Sequence, residues 1–189
     1  MLRTSTITIV RPTGTTAYAV GQRIFTGTSG ITSSGSVFAN LGETMFGNGF
    51  IVKAVLHSNA SSSALPTTAR LHLYTLSSGQ TLASGAVPAD QGTINLTYAD
   101  ASKYIGFIDF TSFQSYGPST YTVSTVTSSL AFQRGSIRGE GDLSGYSNVR
   151  VGSLIGILEA RSIFTPTVSS EIRIELTANS AEGMLTSST

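Results

Sequence analysis

His57 and His72 are the only imidazoles in the chain, and there is no cysteine. General acid–base chemistry or zinc binding at either would require carboxylates converging on it, and two imidazoles alone do not close a zinc site. Each falls in an alternating stretch, "FIVKAVLH" and "RLHLYTL", whose period assigns it to the surface of a strand. The stretch "RGSIRGEGDLSGY" gathers Arg134, Arg138, Glu140 and Asp142 in a Gly-rich loop. Glu140 and Asp142, one glycine apart, offer oxygen ligands for calcium, but the EF-hand spacing is absent. Arginines beside carboxylates suit an inter-subunit contact better. Asp109 stands inside the apolar run "GFIDFT", where a buried carboxylate would need a partner. No Gly-x-Ser-x-Gly elbow, P-loop or dinucleotide fingerprint occurs. The chain is therefore expected to be non-enzymatic, with no catalytic residue, no metal ligand and no cofactor.

The composition points the same way. Charged residues make up 11 % of 189 residues, against about 25 % in an ordinary soluble domain. Ser and Thr fill the gap, with 29 and 26 copies. Spread over a folded surface of roughly 8,600 Å², the charges form a thin cover. A hydroxyl-coated β-protein, part of whose surface is covered by partners, accounts for both observations. A net charge of +1 gives no steering toward nucleic acid or acidic membrane, and scattered aromatics form no stacking ladder for single strands. The longest apolar run, near Leu154 to Leu158, is far short of a bilayer span. The opening "MLRTS" shows no apolar signal stretch, so synthesis in a cytoplasm is expected.

The elements that would position these residues are strands. In "TSTITIV", Ser5, Ile7 and Ile9 share one face. In "FIVKAVLH", Phe50, Val52, Ala54 and Leu56 fall together, opposite Lys53 and His57. In "RLHLYTL", Leu71 and Leu73 oppose Arg70, His72 and Tyr74. "YIGFIDF" and "VGSLIGILEA" are apolar on both faces, as central or doubly covered strands are. "EIRIELTA" turns Ile172, Ile174 and Leu176 inward and Glu171, Arg173 and Glu175 outward. Turn-forming pieces such as "SNASSSALP", "PADQG" and "SYGPS" separate the runs. A brief helical turn is expected near Tyr98 to Lys103. The pattern predicts an all-β sandwich or barrel: a single domain over residues 1–178, with an N-terminal strand or arm at 1–15 and a tail at 179–189.

The opening "ITIVRPTGTTAYAVGQRI" resembles a recurrent opening in structural proteins of tailed bacteriophages. "GFIVKAVLHSNASSSALPTTARLHLYTL", "YADASKYIGFIDF" and "LIGILEARSIFTPTVSSEIRIELTA" are similar to the same group, in the same order, across most of residues 5 to 178. The resemblance implies a capsid decoration or cement protein with an antiparallel β-sandwich body of jelly-roll type, located on the virion surface. Its partners would be further copies of itself, a trimer in preference to a dimer, and the major capsid protein. Such a protein adheres through strand edges and hydroxyl-rich faces. "ITIV" would offer a β-edge, or serve as the first strand of its own sandwich. Arg11 and Pro12 would end it, and Tyr18 would be an apolar anchor. The candidate interface is thus Arg11, Pro12, Tyr18, Arg134, Arg138, Glu140 and Asp142.

A rival reading is a carbohydrate- or receptor-binding module of a tail or fibre, or a neck protein. It would use Tyr116, Tyr121 or Tyr146 as sugar platforms, with Asp142 and Asn148 as polar partners. The absence of Trp, the strongest stacking surface, weighs against it.

Overall fold

Period-two alternation becomes eleven strands among the residues that the computed structural model describes: 2–10, 16–25, 36–38, 41, 48–61, 64–75, 82–83, 86–111, 113–116, 119–124, 130–133 and 154–181. In chain order they are β1 (Leu2–Val10), β2 (Arg23–Ile24), β3 (Ser36–Phe38), β4 (Asn48–Ser58), β5 (Thr68–Tyr74), β6 (Tyr104–Thr111), β7 (Gln114–Tyr116), β8 (Ser119–Ser124), β9 (Leu130–Gln133), β10 (Leu154–Ala160) and β11 (Glu171–Ala181). They form two antiparallel sheets. The first runs β1-β11-β4-β8-β7, with β9 also on β4; the second runs β2-β10-β5-β6, with β3 also on β10.

Two strand positions are each filled by two collinear pieces. β8 pairs the C-terminal half of β4 and β9 its N-terminal half, while β2 and β3 likewise divide β10. Counting each divided position once, the nested pairs β1–β11, β2–β10, β4–β8 and β5–β6 alternate between the sheets. That is the order of a jelly roll, a long hairpin wound into a sandwich.

Alternation explains which faces meet. Ile9 of β1, Ala54 and Leu56 of β4, and Ile172, Ile174 and Leu176 of β11 turn inward from the first sheet. Leu71 and Leu73 of β5, Ile108 and Phe110 of β6, and Leu154 and Leu158 of β10 meet them from the second. Within the second sheet, an added Cβ at Gly156 would lie 2.5 Å from Phe38 and 3.0 Å from Leu71, on the flanking strands β3 and β5. The two sheets approach closely at Gly106 of β6, where an added Cβ would lie 2.5 Å from Leu130 of β9; at its φ of +147 only glycine adopts the backbone freely.

Around β10 the second sheet is buried on both faces. The connection between β5 and β6 folds back over it, and Leu82, Ala86 and Val87 pack on Tyr74, Ile155 and Ile157. This third layer is why all seven residues of β10 are buried, as its doubly apolar sequence predicts. The expected helical turn is present as a 3-10 turn at Tyr98–Asp100.

Three expectations need correction, and one pair of alternatives is decided. Phe50 does not share a face with Ala54 and Leu56: the register between β4 and β11 shifts between Thr177 and Ala178, so Val52 is the extra residue of a bulge. Ile51 is therefore buried and Phe50 is 43 % exposed. β6 is a border strand of its sheet rather than a central one, with Phe107 and Asp109 exposed. Of the strand and the arm expected at the N-terminus, residues 2–10 form the strand, Leu2 to Val10 pairing with β11 throughout. The assigned tail begins inside a strand: Asn179, Ser180 and Ala181 pair with Phe50, Gly49 and Asn48.

Candidate functional site

Two features outside the inter-sheet core offer function: the β1 border of the first sheet, beyond which no described strand lies, and the outer side of the second. β1 is the border strand, hydrogen-bonded to β11 on one side with no described strand on the other. Its nine residues pair without a register break. Leu2, Thr4, Thr6, Thr8 and Val10 are exposed along its outer face. Edge strands are ordinarily guarded by lysines, prolines, bulges or shortness. β1 is long and free of bulges, and Arg3 is its only charge.

The outer side of the second sheet carries the chemistry. Strand register sets Arg23, Glu159, Arg70 and Asp109 in one row across β2, β10, β5 and β6. Opposite charges alternate along it, the favourable arrangement for cross-strand neighbours. Arg70 holds Asp109 with two hydrogen bonds, of 2.7 and 2.9 Å, and stacks over Phe107. Arg23 is buried, donates to the Pro88 carbonyl and lies over the Phe25 ring. Burial lowers its pKa to about 10, against the pull of Asp90, so it remains a cation at neutral pH.

His72, the neighbour of this row, is not on a strand surface; it is 4 % exposed. Its Nε2 lies 2.8 Å from Glu159 Oε2 and its Nδ1 3.1 Å from Tyr104 Oη. Arg161 donates to the second Glu159 oxygen at 3.1 Å. Burial works to raise the Glu159 pKa, but the hydrogen bonds and charges of His72 and Arg161 together hold it below the ordinary carboxylate value. The carboxylate is therefore ionised and accepts from Nε2–H. That leaves Nδ1 to accept from the Tyr104 hydroxyl, whose pKa burial raises. The chain Tyr104–His72–Glu159–Arg161 is thus satisfied at each link. Among the described residues, no group of three or more His, Asp or Glu side chains is gathered to hold a metal ion.

Tyr104 also lines a cleft of about 230 Å³, together with Tyr74, Leu96, Thr97, Tyr98, Asp100 and Ala101. Its floor is the Tyr74–Tyr104 pair, with ring centroids 5.2 Å apart and tilted by 55°. At the rim Leu96 is 47 % and Tyr98 97 % exposed. Asp100 fixes the rim: it is buried and accepts from Thr97 Oγ1 at 2.8 Å, from Lys103 Nζ at 2.9 Å and from the Ala83 amide. Burial alone would raise its pKa, but those bonds hold it below the ordinary value. Tyr74 keeps a buried hydroxyl with no hydrogen-bond partner among the described residues.

Of the residues expected at an interface, Arg11, Pro12, Arg134, Arg138, Glu140 and Asp142 lie outside the described residues, as does Tyr146. Tyr18 is described, and its role is corrected. It is fully buried in its own domain, stacks on Phe164 at 4.8 Å and donates to Asp90 at 2.7 Å. Tyr18 thus anchors the chain to itself, with no surface left for a neighbour. Glu159, His72 and Tyr104 were missed as a group because 87 residues separate His72 from Glu159. No family model, curated protein or solved structure matches the chain.

Proposed function

We propose that the chain is a non-enzymatic structural protein of a tailed-phage particle, a capsid decoration or cement protein. It binds the outside of the head shell as a homo-oligomer and stabilises contacts between major capsid subunits. The observation that carries this reading is the unguarded border of β1. A nine-residue strand with one charge presents main-chain donors and acceptors that strand addition can use, and such pairing needs no special side chains. The first sheet ends in two borders, β1 and β7. Pairing β1 with β7 of the next copy is head-to-tail and closes into a ring, such as the preferred trimer, whereas β1 on β1 gives a two-fold dimer. Many copies on a lattice then add weak contacts into firm attachment.

The test is sedimentation velocity of the full chain, followed by co-sedimentation with phage heads stripped of their decoration. The comparison variant is Thr4→Lys/Thr6→Lys/Thr8→Lys, which alters only exposed positions and places guarding charges along the border. The native chain is expected to form a closed oligomer and pellet with heads, and the variant to remain monomeric in the supernatant. A native monomer that leaves heads bare refutes the reading.

A further inference from the structure

We propose that the occupant of the β1 border is the β1 strand of a second copy, paired antiparallel about a two-fold axis at Thr6. This rests on the reading of β1 as an adhesive border and names its partner.

Among the described residues, the borders of the two sheets are unequal. Beyond β2 the chain covers its own border: the Arg23 amide donates to the Gly92 carbonyl at 2.9 Å, the Gln91 amide to the Arg23 carbonyl at 3.0 Å and the Ile94 amide to the Gly21 carbonyl at 2.9 Å. β6 is irregular, with a register shift against β5 and Gly106 at φ +147, and such irregularity guards a border. β7 has three residues and cannot match most of the nine in β1. A second β1 matches all of them.

Symmetry and side chains select the register. Centring the pair on Thr6 sets Thr6 against the partner's Thr6, Thr4 against the partner's Thr8 and Leu2 against the partner's Val10, all on the outer face. Thr–Thr pairs are favourable cross-strand neighbours. β1 already makes one on its other side, where the Thr4 and Thr177 hydroxyls lie 3.2 Å apart. The end pairs cover Leu2 and Val10, which are 66 % and 44 % exposed. A slip by two residues in either direction leaves one of these two without an opposite residue. Charge selects the antiparallel sense. Arg3 is the only charge, and antiparallel pairing holds its two copies about 20 Å apart, beyond the Debye length at physiological salt. A parallel pair would set them side by side. One strand seam is smaller than a standard interface of about 1,200–2,000 Å², so a dissociation constant on the order of tens of micromolar is expected.

The chain has no cysteine, so single-cysteine variants at exposed positions report the register directly. Thr4→Cys, Thr6→Cys and Thr8→Cys are each oxidised at about 100 μM and followed by non-reducing electrophoresis. Thr6→Cys is expected to form a disulfide dimer about tenfold faster than Thr4→Cys or Thr8→Cys alone, and an equimolar mixture of those two to regain the fast rate. Equal rates at all three positions, a Thr6→Cys chain that stays monomeric, or a trimer of the native chain in sedimentation velocity would overturn the two-fold seam. Co-sedimentation with phage heads separates the two readings. A Thr6-linked dimer that leaves heads bare supports the seam and refutes decoration; a native chain that pellets while Thr6→Cys fails to cross-link does the reverse.

Discussion

Replacing Glu159 by Gln separates the buried polar network from the rest of the fold. The carboxylate is nearly inaccessible, at 8 % exposure, and so is its partner His72 at 5 %, whereas Arg161 is 40 % exposed. The two contacts therefore differ in weight. A hydrogen bond from a buried donor to a charged acceptor contributes about 1.5–3 kcal/mol. The Arg161 contact, open to solvent at one end, adds less than about 1 kcal/mol. Glu159→Gln keeps the size and one acceptor oxygen but aims an amide N–H₂ at a donor. A loss of about 2–4 kcal/mol follows, a large part of the 5–15 kcal/mol typical of whole domains. With a urea m-value near 3 kcal/mol/M, at the upper end for small proteins, the unfolding midpoint should fall by roughly 1 M at pH 7.

The pH dependence supplies the sharper test. The folded pKa of Glu159 lies below its ordinary value of 4.5. Its stabilisation is therefore complete above that ordinary value and is lost as pH falls through the folded one. Urea titrations followed by far-ultraviolet circular dichroism at pH 7 and pH 3 should show the gap between wild type and Glu159→Gln narrowing in acid. The double variant His72→Phe/Glu159→Leu should recover most of the loss, because replacing a buried pair by apolar groups is often neutral or better. A gap equal at both pH values, or a midpoint shift at pH 7 below about 0.3 M, would refute the assignment of Glu159 as an ionised, structure-bearing carboxylate.

Gly156→Ala should lower the thermal midpoint measurably, with a cost of about 1–3 kcal/mol for overpacking, because its Cβ would press on Phe38 and Leu71. Differential scanning calorimetry checks this, and an unchanged midpoint would mean that the Phe38 and Leu71 side chains can shift freely to make room. Tyr18→Phe keeps the stack on Phe164 and deletes the bond to Asp90, so it should cost about 1.5–3 kcal/mol in urea unfolding. The same variant should leave the sedimentation coefficient unchanged, since Tyr18 has no exposed surface; a changed oligomeric state would contradict its role as an internal anchor.

The sandwich was legible because alternation of Ile and Leu with Thr, Glu and Arg in β1 and β11 admits one set of inward faces. The bulge in β4 was not, since "GFIVKAV" is apolar in both phases around Val52 and hydrophobicity alone cannot show where the register slips. The buried His72 was half legible. β10 reads as covered on both sides, and any strand paired beside it shares that cover. The step that sequence could not supply was that β5 is the neighbour, which places His72 opposite Ile157 and one row from Glu159. Tyr18 was recognised as an anchor, but spacing could not show that Phe164 and Asp90 of the same chain receive it. Long-range pairing decided each of these cases, and a single sequence carries it only through patterns that several pairings would satisfy.

The scarcity of charge takes on a different meaning once the charges are placed. Arg23, Arg70, Lys103 and Arg161 lie on the outer side of the second sheet or in its covering layer, and so do Asp90, Asp100, Asp109 and Glu159. Four positive and four negative groups out of 21 are thus gathered in one layer of zero net charge, where Arg70–Asp109, Lys103–Asp100 and Arg161–Glu159 are ion pairs. That placement leaves fewer charges for the rest of the surface, and β1 keeps only Arg3. A border with little charge has little electrostatic repulsion to overcome when another strand approaches, and salt has little there to screen. The same sequence bias that makes the second sheet's outer side rich in charge pairs leaves β1 with a single charge, which is the property that the proposed main-chain association at this border needs.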